Sequence, residues 1–349
     1  MRIPSERAGR RRSIAMAAAL AMTPLAVGAQ GVEAPDYAPF KSGVFLRYLN
    51  AAEGGIRETP RIGLSFGDRV LRATLDSGST GVVVAARFIP NVDQLPVIGP
   101  GKLTYTSSGR VMEGSWVTTP LTLAGADGAS VATEAMPVLA VTRVSCLETA
   151  RECTPSDDPS GIAMVGIGFA READRQAEST PEKNPLLRIA GEGERRRGYV
   201  LTAEGIHVGL TRENTRGDFH FVKLERQEQL PDWKGIPACI TISGQTPPAC
   251  GSMLVDTGVG AMFLTVPPSQ APSAPLPDGT AVAIAVGTEA ANTPLYSFTT
   301  GDRSSPLAPS TVHLAVSDKR VFVNTSFHLL NGFDMLYDAD GGYAGFRPR

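Results

Sequence analysis

Two segments of this chain parallel one another. Ala73-Thr74-Leu75-Asp76-Ser77-Gly78-Ser79-Thr80-Gly81-Val82-Val83-Val84 and Met253-Leu254-Val255-Asp256-Thr257-Gly258-Val259-Gly260-Ala261-Met262-Phe263-Leu264 each set an Asp-Ser/Thr-Gly turn between two apolar runs. Average residue usage gives roughly 0.1 to 0.2 such tripeptides in a chain of this length, so a matched pair constrains the fold more than any other feature. Taken singly, each is an ordinary Asp turn, in which the side chain bonds its own backbone and glycine accepts positive φ. Taken together, they imply a β unit that occurs twice. The composition agrees, because 37 Gly and 27 Pro in 349 residues favour many short strands over long helices.

The same strand signals run along the chain. Thr59 to Phe66 alternates, turns at Gly67-Asp68 and continues as Val70 to Leu75, which predicts a hairpin. Leu103 to Leu123 predicts two strands around Ser107-Ser108-Gly109, and Val131 to Val144 another β-rich stretch. The polar stretch from Phe169 to Arg197 reads as a solvated face or loop, and Pro267 to Pro277 as a surface connection. Asp338-Ala339-Asp340-Gly341-Gly342 lacks the ligand spacing of a calcium loop and reads as a hairpin turn.

The first 29 residues read as an export signal. Arg2, Arg7, Arg10, Arg11 and Arg12 precede a mostly apolar run from Ser13 to Ala29, and Val27-Gly28-Ala29 supplies small residues before Gln30. The arginines admit a twin-arginine route as well as the general one. The run is shorter than the roughly 20 residues of a spanning helix and contains Pro24. The expected product is an exported protein, periplasmic or extracellular, without a membrane anchor after signal removal. An oxidising compartment lets cysteines pair, and Cys146 with Cys153 and Cys239 with Cys250 is the simplest of three pairings. No cysteine lies close to a histidine in sequence, which leaves little basis for a metal site.

The net charge of −2 provides no basic field for nucleic acid. There is no phosphate-binding Gly-x-x-x-x-Gly-Lys-Ser/Thr, so no nucleotide cofactor is expected. His207, His220, His313 and His328 form neither a His-Glu-x-x-His helix nor a visible Ser-His-Asp set.

With these residues in view, the chain resembles the pepsin-like aspartic proteases, which carry one Asp-Ser/Thr-Gly motif in each of two similar β lobes. Leu103 through Gly114 sits where that family has its flap hairpin, with Tyr105 at the flap tyrosine, and Ser160 through Phe169 is similar to the apolar segment beside the first catalytic loop. Phe333 to Asp338 and Gly345-Phe346 resemble the family's last strands, so the resemblance spans roughly residues 45 to 349. It implies an all-β, two-lobed fold with pseudo-twofold symmetry, an N-terminal lobe over 30–200 and a C-terminal lobe over 201–349. It further implies that Asp76 and Asp256 activate a water against an extended polypeptide. Ser77, Gly78, Ser79, Thr257 and Gly258 would support the loops, Tyr105 would close over substrate, and the enzyme would need no metal or cofactor and act as a monomer.

Several positions depart from that family. Val259 replaces the hydroxyl residue after the second motif, so Asp256 is expected to lack a hydroxyl partner and to be the more readily protonated aspartate. The aromatic residue usual after the first motif is absent, and Trp116 is either its substitute or simply core. The flap is two residues longer than usual. Phe322-Val323-Asn324 is matched to an apolar-apolar-Gly segment, which assigns Asn324 a left-handed backbone. Little chain precedes the first motif, so no inhibitory prosegment is expected. The competing expectation is a protein of the same fold that binds a peptide or protein in its cleft and cleaves nothing.

Overall fold

The computed structural model describes Met1 and residues 34–349, apart from 106–107, 151–152, 172–175, 177–178, 192–194, 273–274 and 288–294. The export signal expected over residues 1–29 therefore lies outside the described residues, except Met1. The described chain is all β: its only helical pieces are short 3₁₀ turns. None is long and apolar enough to cross a membrane.

A nine-stranded sheet runs, edge to edge, Val97–Tyr105, Arg110–Thr119, Met136–Cys146, Thr80–Ala85, Ala163–Ile167, Val70–Asp76, Arg61–Ser65, Thr122–Ala124 and Ser130–Ala132. The expected hairpin is present, with Arg61–Ser65 antiparallel to Val70–Asp76. A seven-stranded sheet runs Tyr296–Thr299, Ala281–Val286, Ile236–Ile242, Ala249–Leu254, Phe322–Asn324, Met262–Val266 and Val312–Val316. A third, six-stranded sheet draws on distant parts of the chain: Val44–Arg47, Gly205–Leu210, Arg196–Leu201, Phe333–Asp338, Tyr343–Pro348 and His220–Lys223.

The duplication in the sequence reappears as a duplicated strand arrangement. Ala163–Ile167 is inserted between the two strands that flank Asp76, parallel to the first and antiparallel to the second. Phe322–Asn324 is inserted in the same way between the strands that flank Asp256. Such an insertion leaves each Asp at the end of a strand trio. Thr80–Ala85 is buried at every residue, as expected of a central strand covered on both faces. Tyr199 of the six-stranded sheet reaches across to donate its hydroxyl to the Ile167 carbonyl at 2.7 Å, tying that sheet to the first insertion.

One expectation about the fold needs correction. The stretch from Phe169 to Arg197 is not simply a solvated face: Arg171, Ser179 and Asn184 are buried, Pro185–Leu187 packs into the core, and Arg196 begins a strand. Asn184 accounts for this, donating to the Ile167 carbonyl at 2.8 Å and capping the following turn by accepting from the Leu186 N–H. The turn after Phe333–Asp338 is a hairpin turn as expected, but its first aspartate is a fully buried hub. Asp338 accepts from Tyr37, Arg196 and the Asp340 and Gly341 N–H groups.

Both local cysteine pairs are disulfides. Cys146–Cys153 closes a loop at the end of a strand, and Cys239–Cys250 joins directly opposed residues of adjacent strands.

Candidate active site

Asp76 ends its strand and Asp256 follows Leu254 by two residues, and both are nearly buried, at 6% and 8% exposure. The turns beneath them are joined reciprocally. The Ser77 N–H donates to the Thr257 hydroxyl oxygen at 2.9 Å, and the Thr257 N–H donates to the Ser77 hydroxyl oxygen at 3.0 Å. Each hydroxyl passes its own proton to a carbonyl of the opposite loop, Ser77 to Val255 at 2.6 Å and Thr257 to Leu75 at 2.7 Å. All four polar groups are thereby satisfied in a buried setting, where an orphan would cost about 1–3 kcal/mol.

The glycines let the carboxylates approach. A side-chain carbon at position 258 would lie 2.5 Å from Asp76 Oδ1 and 3.1 Å from Asp256 Oδ1, and one at position 78 would collide with the Asp256 carboxylate. Each carboxylate therefore sits against the other's loop, and one small space is flanked by both inner oxygens. Those oxygens accept the N–H of their own loop glycine, Gly78 to Asp76 at 2.7 Å and Gly258 to Asp256 at 2.8 Å.

The outer oxygens are held differently. Ser79 donates its hydroxyl to Asp76 Oδ2 at 2.6 Å. Asp256 Oδ2 instead accepts from the side-chain amide of Asn324, also at 2.6 Å. The sequence reading expected no hydroxyl at this oxygen and missed the amide. The left-handed backbone assigned to Asn324 is also wrong. Strand register places Asn324 opposite Leu254, two residues before Asp256, just as Met164 lies opposite Thr74, two residues before Asp76. Ser326 thus occupies the place of Gly166, and it is Ser326 that has positive φ, at 63°. That conformation is braced by its N–H donating to Asn324 Oδ1 and its hydroxyl accepting the His328 N–H.

Burial, then the neighbouring Asp76 charge, pushes the Asp256 carboxyl well above the ordinary carboxylate range, while the bonds from Asn324 and Gly258 and the Arg171 charge pull the other way. Arg171 is itself buried, following Ala170, whose N–H donates to buried Asp232. A cavity of about 160 Å³ lined by Ser77, Arg171, Val255 and Arg320 touches neither aspartate.

The hairpin Val97–Tyr105 and Arg110–Thr119 is where a flap was expected. Thr106 and Ser107 at its tip lie outside the described residues. Half-buried Tyr105 donates its hydroxyl to the Met164 thioether at 2.8 Å. Burial, followed by the charge of Asp76, raises that phenol, while the Ser79 hydroxyl pulls the other way. Trp116 is core, packed with Val83 and Leu139 and holding the Lys183 ammonium 4.1 Å from its ring centre. Across the hairpin tip, the Leu147 N–H donates to the Gly109 carbonyl at 2.8 Å, so the Cys146–Cys153 loop braces it.

In comparison with known proteins, the chain matches no family model and no curated protein.

Proposed function

We propose that this protein is an exported aspartic endopeptidase of two-lobed, pepsin-like architecture, in which Asp76 and Asp256 share one proton and one water. The observation that carries the reading is the small space flanked by Asp76 Oδ1 and Asp256 Oδ1, over loops locked together through Ser77 and Thr257. Two carboxyls this close and this buried cannot both ionise, a behaviour for which aspartic proteases are the established example. The pair then offers an acid and a base at once.

With Asp256 holding the proton, Asp76 is the base. It takes a proton from the water as the water oxygen bonds to the scissile carbonyl carbon, and Asp256 gives its proton to the carbonyl oxygen. The product of that step is a neutral tetrahedral diol, without a covalent enzyme adduct. As the diol collapses, Asp76 gives its proton to the leaving nitrogen, Asp256 takes the proton of one diol hydroxyl and the C–N bond breaks, which restores the starting dyad. The substrate would be an extended polypeptide held by strand-like backbone bonds, with Tyr105 above it. Two disulfides suit an oxidising compartment.

The test is cleavage of a denatured protein by the purified mature chain from acid to neutral pH, beside Asp76→Asn and with a statine-type mimic of the diol. Cleavage lost in the variant and blocked by the mimic is the expected result. A folded chain that neither cleaves nor binds the mimic would overturn the reading in favour of a binding protein.

A further inference from the structure

The two halves of the site use the same two positions with opposite polarity. In the first half the residue three after the aspartate is polar, Ser79, and the residue on the inserted strand is apolar, Met164. In the second half the first is apolar, Val259, and the second polar, Asn324. Each half thus presents one polar group to the outer oxygen of its aspartate, from a different element: Ser79 to Asp76 and Asn324 to Asp256.

We infer that Asn324 is a positioning residue of the dyad, which replaces the missing hydroxyl at position 259 and fixes the side of Asp256 that faces it as a permanent hydrogen-bond acceptor. The inference deepens the proteolytic reading and, for its catalytic meaning, rests on it.

The reason lies in the donor inventory. A hydroxyl can donate or accept, so Ser79 tolerates either protonation state of the oxygen it faces. A side-chain NH₂ only donates. Which end of the Asn324 amide faces Asp256 is fixed by the Ser326 N–H, which donates to Asn324 Oδ1 at 3.1 Å. A flipped amide would set its carbonyl against the carboxylate and its NH₂ against an N–H. Asn324 is also held by strand pairing on both sides, opposite Leu254 and opposite Phe263. A proton on Asp256 is therefore excluded from the lone pair that faces Asn324. The other titratable or charged groups acting on Asp256 are the Asp76 carboxylate, the Arg171 guanidinium and the Tyr105 phenol, and its inner oxygen accepts the Gly258 N–H. None of them comes from the strand that carries Asn324, so the amide is a separate control on the pair.

The experiment exchanges the polarity. Asn324→Met copies the first half and removes the donor. Val259→Ser/Asn324→Met restores a donor from the loop, and Asn324→Leu approximates the shape of the amide while removing the donor without adding a charge. The readout that needs no activity is the pH dependence of the thermal midpoint, each protein measured against the same background carrying Asp256→Asn. Loss of a hydrogen bond to a charged group should move the Asp256 inflection to higher pH by about one to two units. The expected result is that upward shift in Asn324→Met and Asn324→Leu, with return toward the parent position in the double variant. An unmoved inflection in a folded single variant overturns the inference, as does a shift that the restored hydroxyl fails to reverse. If Asn324→Met does not fold, Asn324→Leu and the double variant carry the same test. The pH profile of cleavage is read in parallel. A moved inflection with no cleavage in any variant sinks the protease reading but leaves the control of Asp256 standing. Cleavage with an unmoved profile and inflection does the reverse.

Discussion

Ser77 and Thr257, 180 positions apart in sequence, each donate a backbone N–H to the other's side-chain oxygen. The bonds are buried and reciprocal, and each hydroxyl also donates to the opposite loop. The stability of the site and that of the joined halves are therefore one quantity. Ser77→Ala and Thr257→Val should each destabilise the protein by about 1–3 kcal/mol for every group left unsatisfied. The double variant should cost less than the sum of the two, because the partners share bonds. Denaturant unfolding of the three variants checks this, and strict additivity would count against coupling.

Gly258→Ala should disrupt the dyad more than the fold. The added carbon would lie 2.5 Å from Asp76 Oδ1, and relief of that overlap requires one loop to move, at about 1–3 kcal/mol or more. We expect loss of cleavage and of diol-mimic binding in a chain that still unfolds cooperatively. Retained mimic affinity would mean that the carboxylates are farther apart than described here.

The pH dependence follows from the sign of the Asp256 shift. Its carboxyl is raised in the folded state, by burial first and the Asp76 charge second. A raised carboxyl adds stability that is fully present below the unfolded value and is lost as pH rises through the folded one. Relative to Asp256→Asn, the parent protein should therefore lose stability as pH climbs above the ordinary carboxylate range. Asp76→Asn removes the like charge, so the decline should end at lower pH and be smaller. Thermal melts across pH in the three proteins decide it, and an inflection that Asp76→Asn leaves in place would remove Asp76 as a cause.

Loss of the Cys146–Cys153 disulfide should be felt mainly at the hairpin above the site. The bridge closes a short loop, for which about 2–3 kcal/mol is expected, and that loop holds Gly109 through the Leu147 N–H. In Cys146→Ser/Cys153→Ser, amide exchange of Leu147 and its neighbours at the hairpin tip should rise steeply. The seven-stranded sheet should keep its protection. Equal acceleration in both sheets would show that the bridge serves global stability alone.

The paired Asp motifs were legible in sequence because turn chemistry is local: Asp, a hydroxyl residue and Gly must be consecutive to form the loop. Both disulfides were legible for a similar reason, since each bridges neighbours along the chain. Asn324 was not, because its role depends on strand register. A two-residue offset in matching the inserted strand turned a donor to Asp256 into a supposed backbone accommodation, and only the pairing with Leu254 and Phe263 corrects it. The burial of Arg171 and Asn184 escaped notice for the opposite reason. Charge-rich composition favours a solvated loop, while the partners that take these side chains into the interior are distant in sequence, as Ile167 is for Asn184.

The six-stranded sheet puts the site on a clock. Its central strand Phe333–Asp338 and the adjoining Tyr343–Pro348 follow both Asp loops in the chain, whereas its edge strand Val44–Arg47 precedes them. A nascent chain that has released everything up to residue 330 holds both Asp loops yet lacks the strands that close this sheet. Tyr199, which fastens the sheet to Ile167 beside the first loop, then has no completed sheet behind it. The surroundings of the first Asp loop are thereby completed only by strands that are synthesised after both Asp motifs.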